Sequence, residues 1–97
     1  MKVELQQQAM RLHLEHGELS RLMGGESIEN LTRFGGNGGW ALAVSLHDGD
    51  QAVLLDGGTD CRLVLPRAAV QALGDGQALQ RALDLDDGTV LQLQMAV

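Results

Sequence analysis

Two stretches that lie 51 residues apart follow the same order of elements, and this recurrence constrains the fold more than any other feature. Residues 10–25 and 61–76 each begin with alternating apolar side chains, the pattern of a half-buried strand. Each continues with apolar residues at helical spacing and ends at glycine, which terminates helices readily. Both stretches therefore predict a strand that leads into a short helix.

The recurrence extends over the whole chain when each residue is compared with the one 51 positions later. The matches include Arg11 with Arg62, Leu12 with Leu63, Leu14 with Leu65, Leu22 with Leu73 and Gly25 with Gly76. This comparison predicts a ββαββ unit repeated over residues 1–48 and 51–97. A chance likeness between two leucine-rich halves is the alternative, and it leaves the predicted architecture unchanged.

Eight strands and two helices are predicted within a single domain that covers residues 1–97, since chains of this length rarely divide into two cores. The helices are expected at 18–23 and 68–73, each too short to be stable without tertiary packing. The class is α+β, with mostly antiparallel sheet and two short helices. The strands are predicted at 1–5, 10–14, 27–34, 40–46, 52–55, 61–65, 79–85 and 89–97.

Composition limits the function classes. The formal net charge is -6, which argues against nucleic-acid binding because that depends on Lys and Arg neutralising phosphates. The same balance disfavours an anionic membrane surface, and no apolar run approaches the roughly 20 residues that span a bilayer. Cys61 is the one cysteine, so an internal disulfide is excluded, and a cytoplasmic location is expected.

Two groups of residues could carry chemistry. His13 and His16, with Glu15 and Glu18 nearby, could ligate a metal, but they straddle the end of a strand, so solvated surface histidines are favoured. Cys61 could be a nucleophile if a base lowered its pKa, but it opens a strand without a flanking signature. A structural thiol is favoured, and no cofactor is predicted.

Arg11, Arg62 and Trp40 are the candidate binding residues. If the halves are related by a pseudo-two-fold axis, the two arginines could flank a shared groove and bind a carboxylate. The simpler interpretation pairs each arginine with an acid on a neighbouring strand, such as Glu4 or Glu29. Trp40 follows the glycine-rich segment 35–39, which is predicted to be a flexible connection that could serve as a docking loop.

The chain resembles a family of small uncharacterised bacterial proteins. Its pattern reads here as Met1-Lys2-Val3, Arg11-Leu12-His13-Leu14, Glu18 to Leu22, Gly24-Gly25, Thr32-Arg33-Phe34-Gly35 and, later, Leu65-Pro66. These motifs are structural, and the family brings no known activity, so the resemblance implies no functional residue. The acidic and aromatic C-terminal tail of the family is absent, since the sequence ends at Met95-Ala96-Val97.

Taken together, the sequence favours a non-catalytic cytoplasmic interaction module with a protein or small-molecule partner, which could form a homodimer through an exposed strand edge. A small enzyme or metal-binding protein that uses His13, His16 or Cys61 is the alternative. A transcription factor of the swapped-hairpin type, suggested by the Arg-Leu-Val-Leu-Pro step at Arg62 to Pro66, ranks below both because of the negative charge.

Overall fold

The computed structural model describes residues 1–97 and contains the eight strands and two helices that the sequence predicts. Its class is α+β, as expected. The first half contains β1 (Lys2–Gln6), β2 (Ala9–His13), α1 (His16–Met23), β3 (Ile28–Gly35) and β4 (Gly38–His47). The second half contains β5 (Val53–Asp56), β6 (Asp60–Pro66), α2 (Arg67–Gln71) with a 3₁₀ turn (Ala72–Asp75), β7 (Leu79–Asp84) and β8 (Val90–Ala96).

The strands form two four-stranded sheets, and each sheet takes one hairpin from each half of the chain. Sheet 1 has the order β1-β2-β8-β7, and sheet 2 has the order β3-β4-β6-β5. Hairpin partners pair antiparallel, whereas the central pairs β2–β8 and β4–β6 are parallel. The two halves have therefore exchanged hairpins, and neither half has a complete sheet of its own.

Strand pairing is equivalent in the two sheets. Val3 lies opposite Leu12 in β1–β2, and Leu54 lies opposite Leu63 in β5–β6, a shift of 51 in both partners. The same shift relates the parallel pairs β2–β8 and β6–β4, and also the hairpins β3–β4 and β7–β8 over their regular parts. The backbone thus has an internal pseudo-two-fold relation, while a common origin of the halves stays a prediction.

The residues of the hydrophobic core are also related by the shift of 51 positions. Sixteen buried side chains from both sheets and both helical segments form one cluster, and fourteen of them form seven pairs separated by 51 residues. The two exceptions are Met10 and Leu83, whose counterparts are Cys61 and Thr32. Thr32 is exposed where Leu83 is buried, so β3 contributes one side chain fewer to the core than β7 does at the equivalent position.

Helix boundaries differ from the predicted ones at both helices. Helix α1 begins two residues early, at His16, because Glu18 Oε1 accepts a hydrogen bond from the Glu15 backbone N–H at 2.9 Å and closes the first turn. His16 is therefore helical and does not lie in the preceding turn. The second helical segment ends at Gly76 rather than Gly74, and Gly76 adopts a φ of 84°, which favours glycine.

The glycine-rich segment 35–39 is not the flexible connection that its composition predicts. Gly35 lies opposite Gly38 in the β3–β4 ladder, and only Gly36 and Asn37 form the turn. Gly39 is required by close packing, since a Cβ there would lie 2.9 Å from the Thr32 carbonyl oxygen. The glycines therefore make a tight hairpin and leave no free loop to act as a lid.

Candidate functional site

Arg11 and His13 lie on the outer face of sheet 1, which we call the glutamine surface. Outward side chains alternate with buried leucine and methionine along β2 and β8, so the polar residues of these strands face solvent. A groove of about 450 Å³ and a second of about 290 Å³ meet along this surface, and Arg11 lines both. The surface consists of Lys2, Glu4, Gln6, Arg11, His13, Gln80, Gln92 and Gln94.

Arg11 is held by an amide rather than by an acid. Its Nε donates a hydrogen bond to Gln94 Oε1 at 2.9 Å, while Glu4, directly opposite Arg11, forms its ion pair with Lys2 at 3.4 Å. The predicted Arg11–Glu4 ion pair is therefore absent. The Gln94 contact orients the guanidinium across the sheet, and its terminal nitrogens can donate to a carboxylate.

Arg62 lies on the outer face of sheet 2, where most other outward side chains are aliphatic. Leu31 and Leu55 are each more than half exposed, at 55% and 54%, and Val53 is 41% exposed. We call the aliphatic side chains of this face the aliphatic surface, and they are Leu31, Ala41, Ala43, Val53, Leu55 and Val64. Glu29, Arg33, Ser45 and Asp60 point outward on the same face. The structure shows no ion pair between Arg62 and Glu29, which lie two strands apart on either side of Ala43.

Comparison of the two outer faces isolates what is particular to sheet 2. The backbone pairing is equivalent, so differences in polarity do not come from differences in strand geometry. Exposure differs most at one pair, since Ala41 is buried, with 9% exposure, whereas Gln92 is exposed. Five positions change from polar or charged on sheet 1 to aliphatic on sheet 2. They are Lys2 and Val53, Glu4 and Leu55, His13 and Val64, Gln92 and Ala41, and Gln94 and Ala43.

The two candidate arginines are not brought together. Arg11 belongs to sheet 1 and Arg62 to sheet 2, and both side chains point outward from the two-sheet core. The shared groove that the pseudo-two-fold relation suggested is therefore not formed. The physical reason is that each sheet contains only one of the equivalent strands β2 and β6, so the pseudo-two-fold relation carries Arg11 onto the other sheet.

Trp40 lies at the edge where β1 approaches β3. It is half-buried and lines a groove of about 390 Å³ together with Leu5, Phe34 and Thr32. Phe34 is 72% exposed and Leu5 60% exposed, so the groove is largely open to solvent. Trp40 also lines a groove of about 320 Å³ with Leu31 and Ala41, so it borders the outer face of sheet 2 and is separate from the grooves that Arg11 lines.

No family model, curated protein or solved structure matches the chain. None of its helices combines the length and apolar character that a membrane crossing requires. The arrangement of side chains is therefore the basis for any functional conclusion.

The residues considered for chemistry are dispersed. His13 ends β2 and His16 begins α1, both are exposed, and the structure contains no cluster of three or more metal-ligating side chains. Cys61 has its Sγ 3.8 Å from Asp56 Oδ1 and 3.9 Å from the Gly58 carbonyl oxygen. Burial and the negative charge of Asp56 raise the pKa of the Cys61 thiol, which opposes the activation that a nucleophile needs.

Arg67 is a structural residue that sequence reasoning did not single out. Its Nη1 donates a 2.8 Å hydrogen bond to the carbonyl oxygen of Met23, the last residue of α1, and its Nε lies 3.5 Å from Asp48 Oδ1. It therefore connects the start of α2 to the end of α1. The aliphatic surface was also missed, although the comparison of positions 51 apart contains the signal for it.

Proposed function

We propose that the protein is a non-catalytic cytoplasmic interaction module that binds another polypeptide through the aliphatic surface. The observation that carries this proposal is the change from polar to aliphatic side chains at five equivalent outward positions. Aliphatic side chains on a solvent-facing strand gain free energy when a partner covers them, by roughly 25 cal/mol per Å² of apolar area. A sheet face that stays in water gains nothing from them.

The size of the surface agrees with this role but does not decide it. With strands about 4.8 Å apart and outward residues about 6.6 Å apart along a strand, the aliphatic surface covers about 200 Å². Apolar patches of this size occur on ordinary monomers as well as at binding sites. The internal comparison with sheet 1 is what distinguishes the two cases, because the same fold carries a polar face at the equivalent place.

A polypeptide partner fits this surface better than a small molecule does. Small ligands are usually enclosed by concave pockets, whereas a four-stranded sheet face is broad and open. Cys61, the strongest nucleophile candidate by residue type, has a raised pKa, so the catalytic alternative gains no support from its surroundings. The resemblance to small uncharacterised bacterial proteins is compatible with the proposal and adds no activity to it.

Photo-crosslinking from matched positions tests the proposal. A photoreactive phenylalanine analogue replaces Leu55 on the aliphatic surface or Glu4 at the equivalent position of sheet 1, and both residues are exposed. In the native host we expect a discrete crosslink to a polypeptide from position 55 and none from position 4. No crosslink from position 55, or the same products from both positions, would contradict the proposal.

Nucleic-acid binding is a second candidate because the hairpins are exchanged between halves, as a swapped-hairpin protein requires. Fold alone does not imply function, however, and the basic residues are spread over several surfaces. Lys2 and Arg11 lie on sheet 1, Arg62 on sheet 2, and Arg67 near the helices. A gel-shift experiment at low salt tests this candidate, and we expect no duplex to be retained.

A further inference from the structure

We propose that the polypeptide covering the aliphatic surface is a second copy of this chain, packed face to face about a two-fold axis. The inference rests on the proposed function, since it names the partner for the same surface. Closed two-fold dimers require a patch that is complementary to itself. The aliphatic surface and the charges around it have this property.

Small side chains on β4 allow two such sheets to approach closely. Ala41 and Ala43 occupy adjacent outward positions of this central strand, with Val64 on the neighbouring strand β6. Leu31 lies at one side of this strip and Leu55 at the other. When β3 of one copy faces β5 of the other, Leu31 lies diagonally opposite Leu55 of the second copy, and the two leucines can pack together, as side chains do between the layers of a β-sandwich.

Two charges on the same face, Glu29 and Arg62, are placed for pairing between copies, whereas Arg33 and Asp60 lie outside their row. One row across sheet 2 reads Glu29, Ala43, Arg62 and Leu55, from β3 to β5. A two-fold axis that runs along the strands between β4 and β6 puts Arg62 of the second copy over Ala43, one strand away from Glu29. The small Ala43 side chain leaves room for the guanidinium, and the symmetry forms the Arg62–Glu29 contact twice.

Neither charge is engaged within the monomer. The three ion pairs of the structure involve other groups, and no side-chain hydrogen bond uses Arg62 or Glu29. Complementary charges at the margin of an apolar surface favour one orientation of docking and exclude others. Sheet 1 lacks this combination, since the corresponding row reads Gln80, Gln94, Arg11 and Glu4.

The extent of the surface predicts a weak dimer. One four-stranded face is roughly 15–20 Å wide, so two facing copies bury less than the roughly 1,200 Å² at which specific interfaces begin, and the contact belongs to the weak, transient class. We therefore expect a dissociation constant of about micromolar order, so that dimerisation depends on concentration in an accessible range. Sedimentation velocity over a concentration series measures it directly.

Two sets of variants test the interface. Ala43→Gln introduces the residue that the equivalent position 94 carries, so the fold tolerates it locally, and we expect the dissociation constant to rise at least about tenfold. The matched control is Gln94→Ala on sheet 1, which should leave the constant unchanged. Thermal midpoints of both variants are measured alongside, and a folded Ala43→Gln protein that dimerises like the wild type overturns the inference.

Charge reversal tests the orientation. Glu29→Arg and Arg62→Glu each place like charges together and should weaken the dimer about tenfold, whereas the double variant should recover to within about threefold of the wild type. Failure of the double variant to recover overturns the proposed axis. The single variants shift the formal net charge of -6 in opposite directions, Glu29→Arg to about -4 and Arg62→Glu to about -8, so weakening by both excludes a general charge effect.

The outcomes separate this inference from the proposed function. A wild-type protein that is monomeric at every concentration tested overturns the second-copy inference. If position 55 then crosslinks to a polypeptide of a different mass, the proposed function stands with another partner. If position 55 crosslinks to nothing, both are refuted, and a product of twice the chain mass supports both.

Discussion

Replacement of Arg67 by methionine is the most direct test of how the two helical segments are held together. The Arg67 guanidinium donates to the carbonyl oxygen of Met23 at 2.8 Å, where α1 ends and its last carbonyls lack helical partners. Methionine keeps most of the apolar stem but has no donor. The Arg67→Met variant therefore removes the hydrogen bond while largely preserving packing.

The expected loss can be estimated from the contact. A hydrogen bond to a charged group contributes about 1.5–3 kcal/mol to stability. The Arg67 side chain is 38% exposed, so water can partly replace the lost donor, and we expect the free energy of unfolding to fall by about 1–2 kcal/mol. The ion pair with Asp48 should contribute little, because the Asp48 side chain is 94% exposed and 3.5 Å away.

Urea denaturation followed by the fluorescence of Trp40, the one tryptophan, provides the assay. Asp48→Asn is the matched control and should cost less than about 0.5 kcal/mol. If Asp48→Asn destabilises the protein as much as Arg67→Met does, the salt bridge rather than the Met23 contact connects the helices. If neither variant changes stability, the reasoning about the helix end is refuted.

Three further predictions concern local contacts. Burial raises the pKa of Glu18, but hydrogen bonds from backbone N–H and the Met1 amino group outweigh it and lower the pKa below 4.5. Glu18→Gln should therefore lower the free energy of unfolding near neutral pH. The difference in urea midpoint between the wild type and Glu18→Gln should narrow as the pH falls through the lowered pKa of Glu18, and a difference that stays constant with pH contradicts this. Gly57→Ala should lower the free energy of unfolding by about 1–3 kcal/mol, since the new Cβ would lie 2.6 Å from the Asp60 carbonyl oxygen. Gly17→Ala is the control, because its Cβ meets open space and should cost nothing. Equal denaturation midpoints for the two variants would refute the steric argument. The thiol of Cys61 should react with a disulfide reagent more slowly than free cysteine, and Asp56→Asn should accelerate it; an unchanged rate would remove Asp56 as a cause of the raised pKa.

The sequence predicts the elements of this fold well because each strand is read from local alternation. Leu12 and Leu14 are buried while Arg11 and His13 are exposed, as period two requires. The predicted element boundaries were wrong where side-chain contacts or glycine geometry determine them. Helix α1 starts early because of the Glu18 cap, and segment 35–39 forms a tight turn because its glycines permit ladder pairing up to Gly35 and Gly38.

Positions in space were harder to predict than elements. Alternation places Arg11 and Arg62 on outward strand faces, but it does not say which strands share a sheet. That choice depends on long-range pairing of β2 with β8 and of β4 with β6. The shared arginine groove required both arginines on one face, but β2 and β6 belong to different sheets.

The pseudo-two-fold relation separates what the fold requires from what it does not. Positions that keep their character across the offset, such as Leu12 with Leu63 and Leu22 with Leu73, lie in the core. The outward positions of the two sheets have no such constraint, because neither face packs against the interior. A change such as Glu4 to Leu55 is therefore unexplained by folding, and a surface that a partner covers explains it. Outward residues that differ between positions 51 apart thus favour the aliphatic surface around Leu55 as the binding face. Arg11 and Arg62 are the same residue type in both halves, so they do not distinguish one face from the other.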